Sequence, residues 1–154
     1  MTETLFYHLE RRSLDDVLPG LLEKTLERGW RAVIRTESSE RADAIDNLLW
    51  TYNDQTFLAH AQSGDGNPKR QPVLITAEDE NPNGANVLFC VGGAAPAWNS
   101  VGDLTRVVLM FDGRDEKMLS TARAAWKDAK AAGHDVTYWK ESASGKFEKQ
   151  GSSG

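Results

Sequence analysis

Three nearly uninterrupted apolar runs constrain this chain more than anything else in it: VLIT at 73–76, NVLFCV at 86–91 and RVVLMF at 106–111. Each is too short for a typical helix and rich in the β-branched and aromatic residues that favour strands. A strand with one wet face alternates apolar and polar residues, whereas a strand covered on both faces is apolar throughout. These runs therefore need helices above and below them, and the chain supplies helical patterns in between.

The first strand is LFYHL, residues 5–9, and the second is WRAVIRT, residues 30–36. Between them Leu14, Val17, Leu18, Leu21, Leu22 and Leu26 recur at helical spacing, with Ser13 and Asp16 arranged as a capping pair. Pro19 and Gly20 fall inside that pattern, so the helix either tolerates a kink there or begins near Pro19. SSERADAIDNLLW, 38–50, predicts a second helix with Ala44, Ile45, Leu48 and Leu49 on its apolar face. TFLAHA reads as a brief strand or a structured turn, and 63–72 reads as loop. A third helix runs from about Asp115 to Ala132, closed by Gly133, and HDVTYW at 134–139 is the last strand.

Strands alternating with helices predict an α/β, three-layer, Rossmann-like fold with a mostly parallel central sheet and helices on both faces. Residues 1–141 make one domain of ordinary size. The stretch 142–154, SASGKFEKQGSSG, is polar and Gly/Ser-rich, and is expected to be disordered.

The formal charge of the 154 residues is -5, which argues against broad, sequence-independent coating of nucleic acid but does not exclude one local positive patch; direct sequence-specific nucleic-acid binding is not expected. Cys90 is the sole cysteine, so an internal disulfide is excluded and a reducing compartment is expected. The opening MTETLFYHLERR lacks the pattern of a secretion signal, and no apolar stretch approaches bilayer length. The expectation is a cytoplasmic protein without membrane attachment.

Motifs for enzymatic chemistry are missing from the sequence. Neither GxGxxG nor GxxxxGK[ST] occurs, which removes the dinucleotide and Walker fingerprints. VGGAAP, 91–96, reads as a turn leaving the sheet rather than an anion nest. His8, His60, His134 and Cys90 are far apart and show no metal-ligand spacing, so neither metal nor cofactor is expected. The rival reading is a small α/β enzyme or nucleotide-binding protein with a pocket at the carboxyl ends of the strands, near Cys90 and Asp112 and lined by His60.

Within TARAAWKDAKAAG, 121–133, Arg123, Lys127 and Lys130 share a narrow arc of the third helix. Ala122, Ala125, Trp126, Ala129 and Ala132 supply a broad apolar side of the same helix, with Trp126 expected in the core. The basic row is either solubilising surface or a landing place for an acidic partner. Trp50 and Phe57 flank a turn, as a protein-binding anchor or as a hydrophobic cap on the core.

Taken in order, a scattered set of residues resembles the chi subunit family of bacterial DNA polymerase III holoenzyme. Phe6 and Tyr7 open it, followed by Ala44, Ile45, Asp46, Leu48, Leu49 and Trp50, then Phe57, Leu58 and His60. Pro72, Val73, Ile75, Val107, Phe111 and Asp112 continue it. Ala122, Arg123, Trp126, Lys127, Lys130, Gly133 and Tyr138 complete it. Ala59 stands where the family form has proline, and the segments 78–86 and beyond 140 have no counterpart.

The resemblance implies a non-catalytic clamp-loader accessory subunit with a Rossmann-like fold that binds no dinucleotide. It implies two partners: the acidic, phenylalanine-terminated tail of single-stranded DNA-binding protein, and a psi-type subunit on a separate surface. The carry-over places Arg123 and Lys127 at the tail-binding positions, and Lys130 joins them one turn further along. Trp50, Phe57 and His60 are the candidate second interface.

Overall fold

The computed structural model describes residues 3–51, 60–62, 71–78, 81, 83–96, 98, 101 and 103–153. In chain order the elements are β1 (Glu3–Leu9), α1 (Leu14–Glu27), β2 (Ala32–Arg35), α2 (Ser39–Thr51) and β3 (His60–Gln62). Then come β4 (Val73–Thr76), β5 (Val87–Cys90), β6 (Arg106–Asp112), α3 (Glu116–Ala131), β7 (Asp135–Glu141) and β8 (Phe147–Ser153). The strands form one sheet in the order β3-β4-β2-β5-β6-β1-β7-β8. Every neighbouring pair is parallel except β7 with β8, which is antiparallel.

The continuously apolar strands are covered on both sides, as their composition requires. Alternate residues point to opposite faces. Ala32, Ile34, Val73, Ile75, Phe89 and Met110 meet Val17, Leu18 and Leu22 of α1 and Ile45 and Leu49 of α2. Val33, Leu74, Leu88, Val107 and Leu109 pack beneath Ala122, Ala125 and Ala129 of α3. The result is a three-layer α/β/α fold.

Helix α1 runs unbroken through Pro19 from an N-cap at Ser13, whose backbone N–H donates to the Asp16 carboxylate at 3.1 Å. Pro19 is buried, so its ring contributes packing where its missing N–H removes one helix bond. The apolar face of α2 is shifted from the expected one. Ala42, Ile45 and Leu49 are buried, Leu48 is half-buried and Ala44 is exposed.

The chain after residue 141 departs from the expectation of disorder. Residues 147–153 form β8, paired antiparallel along β7 from Glu141↔Phe147 to Val136↔Ser153. Its Ser and Gly residues build the preceding turn, where Ser142 N–H donates to the Lys146 carbonyl at 2.7 Å and Gly145 adopts φ 82°. Phe147 then packs edge-on against Tyr7 with ring centroids 4.7 Å apart. Glycine and serine here specify a tight turn, and one aromatic residue anchors the strand behind it.

Glu141, at the end of β7, ties this hairpin to the opposite end of the sequence. Its side chain is fully buried. Oε1 accepts the backbone N–H groups of Glu10, Arg11 and Arg12 at 3.0, 2.7 and 3.0 Å. Oε2 accepts Arg12 Nε at 2.6 Å, and Arg12 Nη2 donates to the Gly145 carbonyl at 2.5 Å. One carboxylate thereby holds the β1–α1 connection and the β7–β8 turn together.

Candidate peptide-binding recess on helix α3

Helix α3 begins where Asp115 caps it, its carboxylate accepting Lys117 and Met118 N–H at 3.0 and 3.2 Å. Its buried positions are all alanine, so the helix has little side-chain bulk beneath it. Larger residues, Leu119 and Trp126, lie half-buried beside that seam and bound a recess. Phe111 of β6, Leu119, Ala122, Trp126 and Tyr138 of β7 make its walls, with Arg123 and Lys127 at its rim. The cavity measures about 340 Å³.

The walls are held by a chain of ring contacts. Trp126 meets Phe6 edge-on at 5.4 Å and Tyr138 edge-on at 5.7 Å. His8, on β1 between β6 and β7, lies 5.0 Å from the Phe111 ring and 5.8 Å from that of Tyr138. His8 Nδ1 is hydrogen-bonded to the Tyr138 hydroxyl, and Nε2 lies 2.5 Å from Glu10 Oε1. With Nε2–H donating to Glu10, Nδ1 is the acceptor for the tyrosine O–H. Burial pushes the Tyr138 phenol up, Arg123 opposes it and Glu10 adds to it. The Tyr138 hydroxyl therefore keeps its proton at pH 7 and can donate it to His8.

Gly113 is the space that lets His8 sit there. A Cβ built on Gly113 would lie 1.7 Å from His8 Nε2. Gly113→Ala is expected to destabilise the protein by about 1–3 kcal/mol through overpacking. The same substitution in a His8→Ala background is expected to be nearly neutral. Thermal unfolding of the four proteins of this cycle measures the coupling, and simple additivity would refute the contact.

Arg123 and Lys127 are both exposed, four residues apart on α3 and beside the recess. Among the described residues neither has an ion-pair partner, so their charge is available at its mouth. Lys130 does not line the recess; its Nζ lies 5.9 Å from the Trp126 ring centre. The expectation of Trp126 as plain core is corrected. Its indole is half-buried and forms a wall of the recess.

The other candidate surface is at the far end of the sheet. Trp50 is 55% exposed, and its ring lies 4.8 Å from that of His60 on edge strand β3. His60 is buried, with Nε2 3.1 Å from Asp46 Oδ1. Phe57 lies outside the described residues.

The rival pocket has a different lining from the one expected. A cavity of about 320 Å³ opens at the carboxyl ends of β1 and β6, bordered by Arg12, Asp15, Arg41, Gly92, Asp112 and Asp115. Cys90 is fully buried in the α3 layer and His60 is on the edge strand, so neither reaches it. Asp112 is a turn-former: its Oδ1 accepts Arg114 N–H and Nε, each at 2.9 Å, and this pairing holds its carboxyl below the usual range. The VGGAAP turn has an acidic neighbour, since a Cβ on Gly93 would lie 3.6 Å from a Glu37 carboxylate oxygen. Among the described residues no group of three or more His, Cys, Asp or Glu is placed to hold a metal ion. No described helix is long and apolar enough to cross a membrane.

Residues 1–137 match the family model described as DNA polymerase III chi subunit, HolC. The chain belongs to the DNA polymerase III chi subunit family. A curated relative named as a probable DNA polymerase III subunit chi, from Rickettsia prowazekii (strain Madrid E), is 31% identical over 91 residues. That alignment covers 59% of this chain and 55% of the relative, about half the relative's length. The chi-family match includes Arg123, Lys127 and Lys130 and stops one residue before Tyr138, so the second half of β7 and all of β8 lie beyond it.

Sequence reasoning located the basic row but not the walls of the recess. Phe111, Leu119 and Tyr138 come from three elements that only the sheet order brings together. The His8–Tyr138 pair, 130 positions apart, left no local signal at all.

Proposed function

We propose that this chi-family chain is a non-catalytic, cytoplasmic accessory subunit of the replicative DNA polymerase III clamp-loader complex. In this reading the α3 recess takes the acidic, phenylalanine-terminated C-terminal tail of single-stranded DNA-binding protein. The surface around Trp50 and His60 receives a psi-type subunit. The polymerase is thereby tethered to coated lagging-strand template.

The observation that carries the reading is an apolar, aromatic-walled recess with two exposed cations at its rim that have no ion-pair partner among the described residues. An engineered cavity of roughly 150 Å³ already holds a benzene ring, so about 340 Å³ admits a phenylalanine side chain. Arg123 suits a carboxylate, offering two parallel N–H donors, while Lys127 adds less directional attraction. A contact of this size suits repeated engagement and release rather than permanent assembly.

The test is a calorimetric titration with a short acidic peptide ending in phenylalanine, beside the same peptide lacking that residue. Saturable binding that is lost on deletion is expected. Affinity should also fall as salt rises, because exposed charges are screened within about 8–10 Å at 0.1–0.15 M. Equal binding of both peptides would reduce the recess to a generic basic surface.

A further inference from the structure

A second cavity lies on the opposite face of the sheet, between the C-terminal half of α1 and strands β5 and β6. It measures about 220 Å³. Its floor is apolar, formed by Leu21, Val87, Phe89 and Val108. Its rim is Tyr7, Lys24, Arg28, Trp30 and Arg106. The guanidinium carbons of Arg28 and Arg106 lie 5.1 and 5.4 Å from the Trp30 ring centre, so the indole holds both cations at the mouth.

Three cations line this cavity and no acidic side chain does. Arg106 pairs with Glu3 at 2.7 Å. Among the described residues Lys24 and Arg28 have no ion-pair partner. The negative end of the α1 dipole accounts for cations at Lys24 and Arg28. It does not account for Arg106, which arrives from the start of β6 and converges on the same indole. The convergence of two guanidinium groups on one indole, with Lys24 beside the same apolar floor, gives this cavity a net positive mouth in a chain of net charge -5.

We infer that this cavity is a phosphomonoester site, its cations on the phosphoryl group and its apolar floor beneath the organic body of the ligand. Counting charge favours phosphate over carboxylate. After Glu3 is subtracted, the three cations leave two positive charges, and a phosphomonoester carries about -1.5 to -2 near pH 7. Arg28 offers a full fork and Lys24 an ammonium, while Arg106, its Nε held by Glu3, adds its terminal N–H groups, and together they match three phosphoryl oxygens better than the two of a carboxylate. The site stands independently of the α3 recess.

The ligand chemistry has two sources, free inorganic phosphate or a phosphorylated organic molecule. Three probes separate them: thymidine 5′-monophosphate, thymidine and inorganic phosphate. Each is titrated into the full chain while the Trp30 indole N–H is followed by NMR, its signal assigned with Trp30→Phe. A saturable shift with the monophosphate and none with thymidine is expected. Lys24→Gln with Arg28→Gln should weaken that binding about tenfold or more, since charge-assisted bonds are lost. The remaining indole signals report that this variant is folded, and its affinity for the acidic tail peptide should be unchanged. Equal binding of inorganic phosphate would overturn the phosphomonoester assignment, because the apolar floor would then contribute nothing. No saturable shift, equal binding of thymidine, or full affinity in the double variant would overturn the inference.

Discussion

Reversing both rim charges of the α3 recess, with Arg123→Glu and Lys127→Glu together, is expected to lower affinity for an acidic, phenylalanine-terminated peptide by about 100-fold or more. A charge-assisted hydrogen bond contributes roughly 1.5–3 kcal/mol, and tenfold in affinity corresponds to about 1.4 kcal/mol. Reversal also adds repulsion to the loss of attraction. Stability should hardly move, because both side chains are exposed and have no ion-pair partner among the described residues. The buried side of α3 is alanine and is untouched. Titration and thermal unfolding of the same sample separate the two effects. Undiminished affinity in a folded double variant would remove the proposed tail site. Lys130→Glu serves as an internal comparison: Lys130 lies outside the recess and should cost much less.

Removing the Glu141 carboxylate should have the largest effect on stability. Glu141→Ala would leave the N–H groups of Glu10, Arg11 and Arg12 without their acceptor and the Arg12 guanidinium without its partner. Breaking a buried charged network by removing one member costs about 3–5 kcal/mol. For a chain of this size that lowers Tm by on the order of 10 °C. Loss of less than about 1 kcal/mol in chemical denaturation would show that the clamp is dispensable.

The same residue sets a pH dependence. Burial alone pushes the Glu141 carboxyl up, but Arg12 and the three backbone N–H groups outweigh it and hold it at about 2, from an ordinary 4.5. A carboxyl depressed by folding contributes stability that is complete above its unfolded pKa. That contribution is lost as pH falls from about 4.5 through about 2. Denaturation across this range should show the loss in the wild type and its attenuation in Glu141→Gln. A parallel pH profile in the two proteins would place the acid sensitivity elsewhere.

The legible parts of this molecule are those whose signal is local. The start of α3 near Asp115, its alanine seam and the apolar runs of β4, β5 and β6 each follow from neighbours a few positions apart. Errors arose where composition admits two outcomes. SASGKFEKQGSSG carries the residues of a disordered tail, but the same glycine and serine form a turn once Phe147 has Tyr7 to pack against. In α2 both Ala42 and Ala44 fit an apolar stripe, and only contact with the sheet decides that Ala42 is buried.

Helical spacing alone put Arg123 and Lys127 on one side of a helix, and the double-covered strands alone required a layered α/β fold. The recess beside those cations depends on β1 entering the sheet between β6 and β7, which sets Phe111, His8 and Tyr138 side by side. Strand order is decided by long-range packing and crossover connections, which leave no periodicity in the residues they bring together. Glu141 follows the same logic, since a lone glutamate reads as surface until folding surrounds it with four donors.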